Sequence, residues 1–318
     1  MSAPPITVTA DGPAPPGLSA LDALLHPVPT GRFLAEHWQR RPLHLTGWPG
    51  RFGDLFGLAA LRTALTRHEE AGLLVRVSGD HLGDGGGAAA HVVVGPADVA
   101  GHLRGGASVC VDGIHRADPA LAGLAETLRR GLGHAGPVDV KCYLSPAGYG
   151  FNTHFDAHVV TTLQLEGRKR WRISRTPGVE FPVDNAFLDE HGEVRCVGRT
   201  PGSLRPWERP AVDPGDFVDV LLGPGDVLCL PAGTWHDAKA VDGHALALNV
   251  SFSAADVLGL LVDVAGRRLR ELPAWRAGLP VLPPGAPAGD LARGFLAERV
   301  EELVGALRAA LDDPATIA

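Results

Sequence analysis

The 318-residue sequence has few cysteines and no excess of basic residues. Its four cysteines are scattered, with no C-x-x-C pair, which argues against a disulfide scaffold or a thiolate zinc site. The formal net charge is -7 and the isoelectric point lies near 6.0. Proteins held by phosphate contacts carry the opposite balance, so we expect no direct binding to nucleic acid, although a basic peptide partner would suit this charge.

The sequence also lacks a segment suited to a membrane. It contains no run of ~18 apolar residues, and residues 1–17 have neither a basic start nor an apolar core. We therefore expect no membrane partner and a cytoplasmic protein. Residues 1–17 are rich in Pro, Ala and Gly without periodicity, which predicts a flexible tail.

Helical patterns come before and after the strands. Residues 18–26, 30–41, 56–72 and 118–132 are predicted helical, with Thr30 as a predicted cap and Pro42 as a predicted stop ahead of a short strand. Near the other end, "SAAD" at 253–256 reads as a capping box. The helix predicted over 290–311 has an apolar stripe that must pack on the main domain or on a partner chain. We therefore predict a main domain over 18–253 and a helical region, a possible dimerisation element, over 254–318.

Short strands dominate residues 138–252. They are separated by Gly and Pro turns, which indicates an antiparallel sandwich or barrel. Residues 175–213 interrupt them with five prolines and little periodicity, a length that compact domains reserve for lids or binding loops. We expect this segment to border a functional site.

The stretch "FNTHFDAHVV" at 151–160 places metal-capable side chains at every second position. If residues 151–165 form one strand, a period of two puts six side chains on one face: His154, Asp156, His158, Val160, Thr162 and Gln164. Burying such polar groups without partners costs a few kcal/mol each. This face is therefore predicted to line a wet, ionic or metallic site.

His154 and Asp156 can donate a nitrogen and an oxygen to one ion, and His236 in "GPGDVLCLPAGTWHDA" is the best third ligand. Two histidines and one carboxylate leave the opposite side of the metal open, as in the facial triad of non-haem Fe(II) oxygenases. Zinc accepts the same ligands, but its structural sites fill all four positions. His158 is then more often a packed or substrate-contacting residue than a ligand.

A basic residue is predicted inside the barrel. In "GRKRWRIS", alternation puts Arg168, Arg170 and Arg172 on one face and Lys169 beside Trp171 on the other. The triple of arginines suits solvent, so Lys169 should point inward, where it needs an anion. A dicarboxylate that chelates the metal through one end would present its other carboxylate to this lysine.

These segments resemble the JmjC/cupin-type 2-oxoglutarate oxygenases, particularly the branch that includes the ribosomal oxygenases. The resemblance rests on "THFDAHVVTTLQLEGRKRWRIS", "GPGDVLCLPAGTWHDA" and "FLAEHWQRRPLHL", and spans most of residues 30–253. It implies a mainly β fold with helices: a double-stranded β-helix (cupin or jelly-roll) core, an α/β N-terminal lead-in and a C-terminal helical region.

The resemblance also implies site residues and cofactors. His154, Asp156 and His236 would be the catalytic iron ligands, and Lys169 would hold the distal carboxylate of 2-oxoglutarate, with O₂ as the other substrate. The remaining residues implied at the cofactor pocket are Tyr143, Thr162 and Asn249.

The substrate is the least determined part of the prediction. The ribosomal branch continues into a dimerisation region and a winged helix, whereas about 65 residues follow the barrel here, room for two helices. We expect hydroxylation of an amino-acid side chain in a protein or peptide, including a peptide natural product. Two alternatives stay open: a ribosomal-protein hydroxylase or N-methyl demethylase, and a cupin that binds metal without turnover. A homodimer through the C-terminal helices is possible.

Overall fold

The computed structural model describes residues 6–10, 12–79, 92–189, 191–197, 211–253, 256–278 and 288–312. The chain divides into two units, Met1–Ala254 and Ala255–Ala318. The Gly-rich segment at 83–90 and part of the predicted loop at 175–213 lie outside the described residues.

The described residues form fifteen strands and eight α-helices. The strands are β1 Thr7–Thr9, β2 Leu43–Thr46, β3 Leu74–Ser78, β4 Val92–Val93, β5 Ser108–Asp112, β6 Val138–Pro146, β7 Gly150–Phe155, β8 Val159–Glu166, β9 Lys169–Ser174, β10 Ala186–Leu188, β11 Val194–Cys196, β12 Phe217–Leu222, β13 Val227–Leu230, β14 His236–Ala240 and β15 His244–Phe252. The helices are α1 Ala20–Leu25, α2 Thr30–Glu36, α3 Leu58–Thr66, α4 Val99–Arg104, α5 Pro119–Gly131, α6 Val257–Leu269, α7 Pro273–Arg276 and α8 Ala288–Leu311.

Two sheets make up the first unit. The larger has the order β1-β2-β13-β8-β15-β6-β5-β3-β4, and the smaller has the order β11-β10-β7-β14-β9-β12. From β6 to β8, and again from β12 to β15, successive strands alternate between the two sheets. This alternation of antiparallel strands is the jelly-roll pattern, and it agrees with the predicted double-stranded β-helix.

The main hydrophobic core lies under one face of the larger sheet. Val140, Cys142 and Leu144 of β6 point into it, because alternate residues of a strand share a face. Leu121 and Leu128 of α5 pack in the same cluster. The opposite face of β6 is thereby left to line the interior of the β-helix.

The predicted single strand over 151–165 was wrong. The ladder breaks at residues 156–158, so that β7 belongs to the smaller sheet and β8 to the larger one. The alternation of polar residues continues through a turn, and period two therefore could not reveal the break. His154 and Thr162 lie on different sheets that close around the same interior.

Several predicted boundaries also differ. Thr30 is the first residue of α2 and not its cap, and α2 ends at Glu36, well before Pro42. Within the predicted tail, β1 pairs in parallel with β2. The predicted loop at 175–213 contains the strands β10 and β11.

The second unit contains α6, α7 and α8. Asp256 caps α6 by accepting a hydrogen bond from the backbone N–H of Gly259 at 2.5 Å, so the residue predicted to start the capping box, Ser253, does not cap it. Helices α6 and α8 contact each other, and Trp275 Nε1 donates to Glu302 at 2.5 Å. None of the described helices combines the length and hydropathy that a membrane span needs.

Candidate active site

Three of the predicted site residues meet at the end of β7. His154 is on β7, Asp156 follows the last residue of that strand, and His236 begins β14 directly opposite His154 in the ladder. One ligand atom from each of the three lies within 4.8 Å of the others. His236 Nε2 and Asp156 Oδ2 are 4.0 Å apart. The structure therefore gathers the three residues in a geometry that suits one ion.

Backbone carbonyls orient both imidazoles. Nδ1 of His154 lies 2.7 Å from the carbonyl oxygen of Asn152, and Nδ1 of His236 lies 2.9 Å from that of Thr234. A carbonyl only accepts, so each Nδ1 carries a proton, and in a neutral imidazole Nε2 then keeps a free lone pair. This tautomer is the one that a metal bound at Nε2 requires.

A tight turn delivers His236 to this position. Gly233 has φ of +78°, and its N–H donates to the backbone oxygen of Asp156 at 2.9 Å. A Cβ at this residue would lie 2.2 Å from the carbonyl oxygen of Val179. Glycine is therefore required here both by its backbone angle and by the close approach of the neighbouring chain.

Burial and charge set the protonation of the cluster. Burial alone would raise the pKa of Asp156, but the imidazoles of His158, His154 and His236 outweigh it, and the pKa is about 2. Burial, with a further effect from His154, lowers the pKa of His236 to about 4. At neutral pH the carboxylate is charged and His236 is neutral, which are the forms that bind metal.

Two neighbours hold the cluster in place. Trp171 stacks on His236 with ring centroids 5.7 Å apart, and only 4% of Trp171 is exposed. Asn185 Nδ2 donates to Asp156 Oδ1 at 3.3 Å, while its Oδ1 accepts the N–H of Ala157 at 2.7 Å. Sequence reasoning missed Asn185, because nothing in the Pro-rich segment signals its partner.

Lys169 lies in the interior, as strand alternation predicted. It is 2% exposed, and its Nζ lies 5.7 Å from the centroid of the Tyr143 ring. In the described part of the chain no carboxylate lies within ion-pair distance of it. Burial lowers the pKa of Lys169 to about 8, so the amine is mostly charged at neutral pH and has no anion of its own.

The other predicted cofactor residues line the same interior. Thr162 Oγ1 donates to Asn249 Oδ1 at 2.8 Å across the pair β8–β15, and both residues are buried. Burial, with a smaller effect from the neighbouring Cys110, raises the pKa of Tyr143 well above its usual value. These contacts put Tyr143 beside Lys169, and Thr162 beside Asn249.

His158 stands apart from the three predicted ligands. It lies in the turn between β7 and β8, and it is not part of the metal-capable group found among the described residues. Burial lowers its pKa, and the charge of Asp156 opposes that shift. Its role as a substrate-contacting residue stays a prediction.

Residues 124–260 match the JmjC domain family, and this match includes every predicted site residue. This segment is a JmjC domain. The match confirms the resemblance inferred from the motifs and places the segment among domains of the iron- and 2-oxoglutarate-dependent oxygenase type. The mainly β cupin-type fold with helices at both ends is confirmed as well.

Solved structures share this fold. YcfD of Escherichia coli aligns with a TM-score of 0.61 and 22% identity, over 92% of this chain and 70% of YcfD. A second YcfD structure, described as a ribosomal oxygenase in complex with cobalt and 2-oxoglutarate, aligns with a TM-score of 0.60. At this identity the likeness establishes the fold alone.

Sequence relatives of the chain differ in length. YxbC of Bacillus subtilis is 29% identical over 266 residues, which cover 80% of this chain and 78% of YxbC. Ribosomal oxygenase 2 of Rattus norvegicus is 32% identical over 186 residues, 53% of this chain. That match spans 34% of the rat protein, and a 27% identical match spans 46% of Ribosomal oxygenase 1 of Gallus gallus. The chain thus covers less than half of either ribosomal oxygenase.

Proposed function

We propose that the chain is an Fe(II)- and 2-oxoglutarate-dependent dioxygenase that hydroxylates an amino-acid side chain in a protein or peptide. The observation that supports it best is the three-residue group His154, Asp156 and His236 within a JmjC domain. Three protein ligands on one side leave room for a cosubstrate and O₂ on the other.

The residues present fit an iron ion. The Nδ1–carbonyl contacts leave each Nε2 to face the ion, and the carboxylate is charged at neutral pH. Two imidazoles and one carboxylate suit Fe(II), and the cobalt in the YcfD complex is a common substitute for it. With 2-oxoglutarate and O₂, the ion supplies the oxidising chemistry, and the protein determines which C–H bond lies nearest.

The residues also fit 2-oxoglutarate. Lys169 is a buried cation without an anion, and a buried charge of this kind is costly until it is paired. We assign it to the distal carboxylate, with Tyr143, Thr162 and Asn249 lining the pocket. The stacked, buried Trp171 keeps water from the His236 side of the site.

Two alternative functions remain: the same chemistry on a different substrate, and metal binding without catalysis. A ribosomal-protein hydroxylase or an N-methyl demethylase is favoured by the similarity to Ribosomal oxygenase 2 and to a bifunctional lysine-specific demethylase and histidyl-hydroxylase of Drosophila pseudoobscura, 27% identical over 281 residues. Hydroxylation of an N-methyl group leads to its loss, so one site can serve both reactions. A cupin that binds metal without turnover is the third candidate.

The test is succinate release from 2-oxoglutarate by the full chain with Fe(II). We expect succinate in the presence of iron and O₂, and no succinate from the Asp156→Ala variant. Mass spectrometry of peptides and of ribosomal proteins from a cell extract would then find a product heavier by one oxygen, or a lost methyl group. Metal binding without succinate would favour the non-catalytic cupin.

A further inference from the structure

A continuous polar face crosses five neighbouring strands of the larger sheet, β8, β15, β6, β5 and β3. Residues opposite each other in a ladder share a face. Thr162 lies opposite Asn249, and Asn249 lies opposite Lys141. Two residues further along β6, Tyr143 lies opposite Cys110, and Cys110 lies opposite Arg76. The face of the sheet that carries Thr162 and Asn249 therefore continues beyond the β-helix onto β5 and β3.

Three charged side chains occupy this extension. Asp112, on the same face of β5 as Cys110, forms ion pairs with Arg76 Nη2 and, at 3.4 Å, with Lys141 Nζ. Their side chains are 14%, 27% and 20% exposed, respectively. The group is thus partly sealed from solvent, yet open enough for another molecule to touch.

The group has more hydrogen-bond donors than acceptors. Arg76 and Lys141 together offer eight N–H donors, counting five for a guanidinium and three for an ammonium. Asp112 is the one carboxylate that pairs with either of them among the described residues. The buried Nε of Arg76 has no hydrogen-bond partner, and Asp112 Oδ2 meets Arg76 as an ion pair without hydrogen-bond geometry. A salt bridge that only joined strands would need one cation for one carboxylate. The spare capacity here is donor capacity, which calls for an acceptor-rich ligand.

The group adjoins the proposed cofactor pocket. Lys141 lies opposite Asn249 in the β6–β15 ladder, and Asn249 accepts the hydrogen bond from Thr162. The remaining carboxylate on this face of β6, Asp139, lies 3.5 Å from His115. A ligand held by Arg76 and Lys141 would thus lie on the same face of the sheet as Asn249 and Thr162.

We propose that Arg76 and Lys141 bind a carboxylate of the substrate, so that the oxidised protein or peptide has an acidic group next to the residue that enters the site. This inference rests on the proposed function and specifies its substrate class. Asp112 positions the two cations and is not itself the receptor, because both of its oxygens already face positive charge. The carboxylate belongs either to an Asp or Glu side chain or to a peptide C-terminus.

The test uses retention of peptides and needs no turnover. The immobilised full chain is offered a library of acetylated, amidated peptides in matched pairs, Glu or Asp against Gln or Asn, and a second set with free or amidated C-termini. Bound peptides are quantified by mass spectrometry, with Co(II) and 2-oxoglutarate both present and with both omitted. The two libraries separate side-chain carboxylates from C-terminal ones.

We expect the native chain to retain the acidic member of its preferred pairs about tenfold more than the amide, the scale of one charged contact. Arg76→Gln and Lys141→Gln should each lose this preference, and Lys141→Arg should keep it. Arg170→Gln, which removes an exposed arginine from the outer face of β9, is the matched control and should behave as the native chain.

Three outcomes overturn the proposal: equal retention of acid and amide by the native chain, a preference that survives both glutamine variants, or no retention of any peptide. The first and third need no variant, so misfolding of a variant cannot conceal them. Absence of succinate in the separate turnover assay would contradict the proposed oxygenase and leave this binding result standing.

Discussion

The side-chain amide of Asn185 bridges Asp156 and the next peptide group, with contacts of 3.3 Å to Oδ1 and 2.7 Å from the N–H of Ala157. This bridge fixes the carboxylate so that Oδ2 faces His236. Partners that orient a metal ligand in this way typically contribute 10- to 100-fold to metal affinity, which corresponds to about one to three kcal/mol of binding free energy. Asn185→Ala should therefore weaken Co(II) binding by roughly that factor.

Isothermal titration with Co(II) measures this effect. The control is Asn152→Ala, which removes an exposed side chain but keeps the backbone carbonyl that orients His154. Equal affinity of the Asn185→Ala and Asn152→Ala variants would show that the bridge does not orient the ligand.

The roles of His154 and His158 can be separated directly. His154 is part of the metal-capable group and His158 is not, although both belong to the same stretch of sequence. His154→Ala should abolish both metal binding and succinate release. His158→Ala should retain metal and release succinate without coupling it to substrate. Loss of metal from the His158→Ala variant, measured by elemental analysis, would make His158 a ligand.

The residues that sequence reasoning found share a local signal. His154 and Asp156 are two apart, and the burial of Lys169 follows from alternation within one strand. Both depend on a few neighbouring residues, so period two is enough to place them. His236, the distant member of the predicted triad, was proposed because it follows Pro231 and Gly233, and turn chemistry is local.

The features that the sequence could not predict depend on pairing between residues that are far apart in the chain. Alternation continued through the turn at 156–158, so one strand was predicted where two strands enter different sheets. Asn185 meets Asp156 over 29 residues, and the Arg76, Asp112 and Lys141 group depends on the register of β3, β5 and β6. Register is a property of the folded sheet, and no short pattern in a single strand reveals it.

We predict that the chain forms a homodimer through its C-terminal helices. Among the described residues of α6, Leu258 is 71% exposed and Val262, four residues on, is 62% exposed. Side chains at this spacing share one face of a helix, and such an apolar face is typical of an interface.

Light scattering should give twice the 33.2 kDa of one chain. The double variant Leu258→Glu with Val262→Glu should be monomeric, whereas Val93→Glu, at another exposed valine, should not change the mass. A monomeric native chain would contradict the prediction.

Lys169→Ala should separate cosubstrate binding from metal binding. Loss of the only buried cation assigned to 2-oxoglutarate should raise its KM by about 100-fold, because one partner of a buried charge pair is removed. The affinity for Co(II) should change little, since Lys169 is not among the metal-capable residues. Arg170→Ala is the control on the neighbouring, exposed position. Equal losses in both affinities would indicate that Lys169 is structural.

The pH dependence of 2-oxoglutarate binding should reveal the same lysine. Its pKa is about 8 instead of the usual 10.5, because burial disfavours the charged amine. Only the protonated amine pairs with a carboxylate, so the KM should be level below pH 8 and rise about tenfold per pH unit above it. The free energy of unfolding without cosubstrate should move the other way and increase from pH 8 to 10.5, since the unfolded chain then holds more protons. Lys169→Arg, whose guanidinium stays charged, should remove the rise in KM. A rise that persists in this variant would place the titrating group elsewhere.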